Sequence, residues 1–158
     1  MSIENVKEYL KKYNKDKCVL EFNVSSATVE LAAQALDVEP ARIAKTISFK
    51  GKNDDTCILL VTAGDTKIDN SKFKHEFKFK AKMLDFDDVL KLTGHPVGGV
   101  CPFANPQGTE IYLDESLKRF DTVFPACGTP NSAIELTCDE LYTISNSIKW
   151  VDVCKLCI

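Results

Sequence analysis

Histidine, tryptophan and methionine are scarce in this 158-residue chain, at two, one and two residues respectively. The two histidines, His75 and His95, stand far apart, and no second Cys-x-x-Cys accompanies Cys154-Lys155-Leu156-Cys157. A four-ligand zinc site therefore has no source, and no metal or other cofactor is expected. No stretch approaches the roughly eighteen apolar residues that a bilayer-spanning helix needs. The first residues, Met-Ser-Ile-Glu-Asn-Val-Lys-Glu, mix charges where a secretory leader would be continuously apolar. A cytoplasmic protein without a membrane partner is the expectation. Gly-Lys-Ser/Thr is missing, which excludes a Walker loop, and so are the dinucleotide fingerprint and the serine-hydrolase elbow. No repeat, low-complexity tract or Pro/Ser-rich linker divides residues 1–158, which read as one domain.

What is present is ordinary in bulk: 44% hydrophobic and 27% charged residues, enough to enclose a core. The seven cysteines are scattered and odd in number, so they are expected to be mainly free thiols. Cys154 and Cys157 have ligand or dithiol spacing, but the reading as small apolar residues is preferred. The net charge of −3 is an average. Residues 1–82 hold fifteen basic against twelve acidic residues, and residues 83–158 hold five against eleven. The densest basic run is Lys67, Lys72, Lys74, Lys78, Lys80 and Lys82, interleaved with Phe73, Phe77 and Phe79. It is either a footprint for a phosphate backbone or a solvated face with inward phenylalanines, and the second is commoner. A pI near 5.4 argues against a dedicated DNA binder.

Apolar spacing predicts the elements. Ile3, Val6, Leu10 and Tyr13 mark a first helix that Ser2 can cap, and Val29, Ala32, Ala33 and Leu36 mark a second. Cys18 to Phe22 reads as a strand. Ala44–Lys50 and Thr56–Thr62 form a hairpin around the polar turn at 51–55. Asp69–Phe77 and Asp85–Leu92 are helical, and Glu110–Leu113, Thr122–Pro125, Ser132–Thr137 and Ile148–Val153 are strands. Thr137 and Glu140 make a capping box. Many strands broken by short helices, without βαβ alternation, predict an α+β fold with a mixed, barrel-like sheet flanked by helices.

Two places could carry chemistry. The loop at 93–108 holds four of the seven glycines and three of the six prolines. A stiff loop with close backbone approach can hold a carbonyl or a developing oxyanion, and it can equally be the corner of a bent sheet. Lys45 enters an apolar strand, and alternation places it on one face with Ile47 and Phe49. It either points into a cleft, to meet a phosphate or an ester carbonyl, or snorkels at the strand end. His95, beside the glycines, is a general base or hydrogen-bond donor. A Cys101–His95 nucleophile pair is discounted for want of a third, orienting group.

Taken together these segments resemble the YbaK/EbsC family, the prolyl-tRNA-synthetase-associated editing domain. The resemblance runs from about Val24 to the chain end. It rests on Ala44-Lys45-Thr46-Ile47-Ser48-Phe49, on residues 63–69, on Thr93 to Phe103, on residues 112–117, and on Gly128 with residues 131–136. It implies a sheet rolled towards a barrel and cleavage of the ester of mischarged aminoacyl-tRNA, notably tRNA(Pro) carrying a small wrong amino acid. The family's lysine matches Lys45, and its Gly-x-x-x-Pro loop matches Gly98 to Pro102. The resemblance thus implies Lys45, Gly98 and Gly99 as catalytic, with Val100, Cys101, Pro102, His95, Asp65 and Gly128 around the substrate. It also implies that a positioned water or a substrate group attacks, not a protein nucleophile. Partners are then the aminoacylated 3′ end of tRNA and a prolyl-tRNA synthetase. Ala133 stands where the Cys-tRNA(Pro) deacylase branch has an acidic residue, and Pro102-Phe103 is not that branch's loop, so cysteine specificity does not carry over. A catalytically silent module that binds tRNA or a synthetase is the rival reading.

Overall fold

The computed structural model describes residues 2–157. In chain order the elements are α1 (Ser2–Leu10), β1 (Leu20–Glu21), α2 (Val29–Leu36), β2 (Ile43–Lys50), β3 (Cys57–Ala63), β4 (Thr66–Ile68), α3 (Asn70–Phe77), α4 (Phe86–Thr93), β5 (Thr109–Asp114), β6 (Thr122–Pro125), β7 (Ser132–Ala133), β8 (Leu136–Thr137), α5 (Cys138–Ile144), β9 (Lys149–Val151) and β10 (Cys154–Leu156). Six strands form one mixed sheet in the order β8-β6-β2-β3-β5-β9, and β1-β7 and β4-β10 form two small ribbons. The α+β class and the rolled mixed sheet are as the sequence predicts.

β3 is central and buried at every position, which is why its sequence, Cys-Ile-Leu-Leu-Val-Thr-Ala, is continuously apolar instead of alternating. Its residues feed two cores. Leu59, Val61 and Ala63 face one side with Ile111, Leu113 and Val123, where Val6 and Leu10 of α1 and Leu141 and Ile144 of α5 close the concave face. Ile58 and Leu60 face the other side with Phe49, Tyr112 and Val151, covered by Phe73 and Phe77 of α3. The lysine run therefore has its phenylalanines inward: Phe73 and Phe77 are buried and Phe79 half-buried, with the Phe73 ring tilted against Phe49 and Phe77 and edge-on to Phe79. Lys72 is held by Asp152 and by the Cys154 carbonyl, each at 3.0 Å.

The hairpin and the capping box form at the positions predicted, with Lys50 opposite Cys57 and Thr137 exchanging hydrogen bonds with Glu140. Four local expectations change. The strand expected over Cys18 to Phe22 is reduced to β1, and Cys18 ends a 3-10 turn from Asp16. Ser2 lies inside α1, and its hydroxyl reaches His95. The strand expected over Ser132–Thr137 is two: β7 pairs with β1, β8 pairs with β6, and between them the Ile134 N–H donates to the Pro125 carbonyl. The terminal strand also divides. Asp114 Oδ1 accepts the Val153 N–H at 2.9 Å, and the chain then turns to pair β10 with β4, a ribbon too short for periodicity to reveal. Cys154 is buried there while Cys157 is exposed, so the two sulfurs do not share an environment. No cluster of three or more metal-ligating side chains occurs among the described residues. None of the described helices is long and apolar enough to cross a membrane.

Because Phe73 joins α3 to the sheet, Phe73→Ala is expected to cost about 3–5 kcal/mol in urea denaturation, against about 0.5 kcal/mol or less for the exposed neighbour Lys74→Ala.

Candidate functional site

The pairing of β2 is continuous on its β3 side but interrupted on the other. β6 pairs only with Ile43 and Ala44, and pairing resumes at Phe49, opposite Met83. The Leu84 N–H donates to the Ser48 carbonyl and the Lys50 N–H to the Lys82 carbonyl, so the even-numbered residues turn their backbone groups away from β3. Between the two paired ends, the Thr46 N–H and C=O and the Ser48 N–H consequently face outward with no strand beside them. A cleft of about 500 Å³ opens along this gap. Thr28, Val29 and Ala32 at the start of α2, Met83, Leu84, Phe86 and Val89, Val97, Gly98 and Val100 of the glycine loop, Phe124 and Ala133 close around it. The Thr46 hydroxyl is buried and has no hydrogen-bond partner among the described residues.

Lys45 belongs to the wall of this cleft. It lies opposite Thr62, and its Nζ donates to the Thr66 carbonyl of β4. Asp65 lies next to that carbonyl but is engaged by Arg119, through Nη2–Oδ1 at 2.6 Å and Nη1–Oδ2 at 2.9 Å. The hydrogen bonds from Arg119 hold the Asp65 carboxyl below the usual range, with a smaller contribution from the charge of Lys45.

The glycine loop is built from beneath. The Gly99 N–H donates to the Pro96 carbonyl at 2.9 Å, closing a turn whose third residue, Gly98, has φ +90°. That is the position where glycine is favoured. Gly99 lies against the backbone of Gly128, where a Cβ would come within 2.5 Å of the Gly128 oxygen. Neither the Gly98 nor the Val100 N–H has a partner among the described residues, whereas that of Gly99 is used in the turn. His95 is fully buried under the loop. Its Nε2–H donates to the Phe103 carbonyl at 2.6 Å, and its Nδ1 accepts from the Ser2 hydroxyl at 2.5 Å. Burial lowers the His95 pKa, against the raising effect of the Phe103 carbonyl. Cys101 Sγ lies 3.4 Å from Nε2, and burial pushes this thiol up to about 12. Such a thiol stays protonated at neutral pH and is a poor nucleophile.

The structure thus brings Lys45, Gly98 and Val100 to one cleft. It sets Gly99, Cys101, Pro102, His95 and Gly128 behind the loop as its support, and Asp65 in an ion pair beyond Lys45. Sequence reasoning missed Thr46, Ser48 and the apolar side chains Met83, Phe86 and Val97. Thr46 and Ser48 were within reach as the alternate face of Lys45's strand. The others come from segments that meet only in three dimensions.

Residues 24–144 match the model of the aminoacyl-tRNA editing domain. The chain belongs to that family. It is 54% identical to the uncharacterized protein YwhH of Bacillus subtilis over 98% of both chains. It is also 27% identical to the proline–tRNA ligase of Thermotoga maritima, over 82% of this chain but 23% of the ligase. Among solved structures, a protein described as a candidate trans-editing enzyme for prolyl-tRNA synthetase superposes with TM-score 0.87 at 27% identity, covering 98% of this chain and 97% of that one. A hypothetical protein, APE2540, superposes with TM-score 0.83 at 25% identity.

The neutral His95 carries a pH signature. The unfolded chain takes up a proton near the ordinary value of 6.5, whereas the folded chain resists it. Its contribution to stability is therefore complete above that pH and is lost as the pH falls below it. Urea midpoints of the wild type are expected to drop on acidification below pH 6.5, and His95→Gln should lack that part of the drop.

Proposed function

We propose that this editing-family chain is a hydrolase acting in trans on mischarged aminoacyl-tRNA, with tRNA(Pro) carrying a small wrong amino acid as substrate. One observation carries the reading: the gap in β2 pairing opens into a cleft that joins Lys45 to Gly98 and Val100. The similarity to proline–tRNA ligases, and to a structure described as a candidate trans-editing enzyme for prolyl-tRNA synthetase, supports tRNA(Pro) and a working relationship with that synthetase. In this mechanism water adds to the ester carbonyl, the acyl–oxygen bond to the ribose breaks, and a free amino acid and a tRNA hydroxyl leave. The Gly98 and Val100 N–H groups hold the carbonyl oxygen as it becomes negative, since donors fixed in advance need no reorganisation. Lys45, released from the Thr66 carbonyl, binds the terminal phosphate or the same oxygen. Gly99, Gly128 and His95 keep the loop in place. A protein nucleophile has no role, in keeping with the buried Cys101 thiol and the doubly bonded His95 ring.

A panel of aminoacyl-tRNAs that includes Ala-tRNA(Pro) and Cys-tRNA(Pro) tests this. Turnover of at least one is expected, and Lys45→Ala should slow it by about a hundredfold or more, the scale of losing one charge-stabilising donor. Wild-type rates in Lys45→Ala would defeat the mechanism, and binding without turnover would mark a silent binding module. The exposed Lys67, Lys74, Lys80 and Lys82 supply an accessory tRNA contact, so KM should rise steadily with added salt as counterion release is lost.

A further inference from the structure

Several apolar side chains that line the cleft are left uncovered. Phe86 is 78% exposed, Met83 62% and Val97 55%, and all three line the cleft. Leu90, 61% exposed, follows one turn after Phe86 on α4. Phe86 makes no ring contact with another aromatic residue among the described residues, unlike Phe73 and Phe77, whose rings meet in the core. Packing against the protein leaves this phenylalanine unexplained, because it buries little and joins neither apolar core.

The charges around it restrict what it can meet. Asp85 before α4 and Asp87 and Asp88 in its first turn flank Phe86, and among the described residues only Asp85 of the three has a basic partner, Lys50 at 3.5 Å. A phosphate would be repelled there, whereas the uncharged face of a ring would not. The rest of the lining differs in character: the small Ser26, Ala27 and Thr28 precede α2, and Ala27 lies beside Gly98. If an aminoacyl ester sits between Lys45 and Gly98, the nucleoside that carries it must lie in the same cleft, because ester and base share one ribose. That nucleoside is unpaired at the 3′ end of tRNA. Unpaired bases stack on exposed aromatic rings irrespective of sequence.

We propose that Phe86, flanked by Met83 and Val97, is the stacking platform for the unpaired 3′-terminal base of the tRNA, holding the nucleoside so that its ester reaches Lys45 and Gly98. This rests on the aminoacyl-tRNA reading above and adds a positioning residue to it. Stacking of one base should appear in KM far more than in kcat.

Two experiments separate this proposal from the reading it rests on. In the first, Phe86→Ala should raise KM for the aminoacyl-tRNA that turns over by about five- to a hundredfold with kcat little changed, and Phe86→Tyr should restore it. The same substitution should not alter cleavage of a simple aminoacyl ester that has no base. An unchanged KM, or an equal loss on the base-free ester, would overturn the proposal. Phe86 is exposed, so an unaltered melting temperature is expected in both variants. In the second, the uncharged trinucleotide CCA is titrated into the wild-type chain while the Phe86 ring signals are followed by NMR. Upfield ring-current shifts at Phe86 are expected even if no aminoacyl-tRNA is hydrolysed, in which case the hydrolase reading fails and the stacking site stands. Phe86 signals that stay still up to the solubility limit of the trinucleotide would overturn the stacking site whatever the turnover shows.

Discussion

The incomplete pairing of β2 is the constraint on which the site depends. Had β6 continued alongside β2 past Ala44, or had the segment at Met83 begun one residue pair earlier, the Thr46 backbone would be spent in a ladder and the cleft closed. What ends the β6 pairing is local. After Pro125 the chain leaves the sheet towards the turn at Gly128, whose backbone packs on Gly99. The same contact that supports the glycine loop thus also draws β6 away from β2. Opening the cleft and placing Gly98 in it are two results of one packing arrangement.

His95 and α1 complete that arrangement. The imidazole links Ser2 to the Phe103 carbonyl, and Ser2 and Val6 also lie closest to Gly128. The first helix therefore buttresses both sides of the Gly99–Gly128 contact, in addition to filling the concave core with Val6 and Leu10. The expectation that a histidine beside a glycine loop takes or gives protons follows from its residue type. Its environment instead buries it and satisfies both of its nitrogens.

Much of this was legible in the sequence wherever local chemistry decides. The Thr137–Glu140 box, the hairpin at Gly51–Asp55 and the inward faces of α1 and α2 depend on residues a few positions apart, and they form where periodicity and turn residues put them. Lys45, Gly98 and Val100 were chosen by residue type and by resemblance, and the fold assembles them at one cleft. What stayed hidden depends on partners distant in sequence. β10 forms because Asp114 catches the Val153 N–H and β4 is free to pair. Strands of two or three residues carry no alternation to read, and a free strand edge is visible only once every neighbour is placed.

The burial of β3 on both faces gives the cleft walls unequal stiffness. Backbone amides of β2 that bond to β3 are tied to a strand that opens only with the whole sheet, so they belong to the slowest hydrogen-exchange class. Ser132 and Ala133, also in the lining, sit in a two-residue strand whose ladder partner is the two-residue β1, and Leu20 and Glu21 of β1 are exposed. Fluctuations that admit a ligand are therefore expected on the β1–β7 side, where the ladder is short, and not in β2. Widening of the cleft is then expected along one wall, with the β2 backbone that carries Lys45 staying in place on the other.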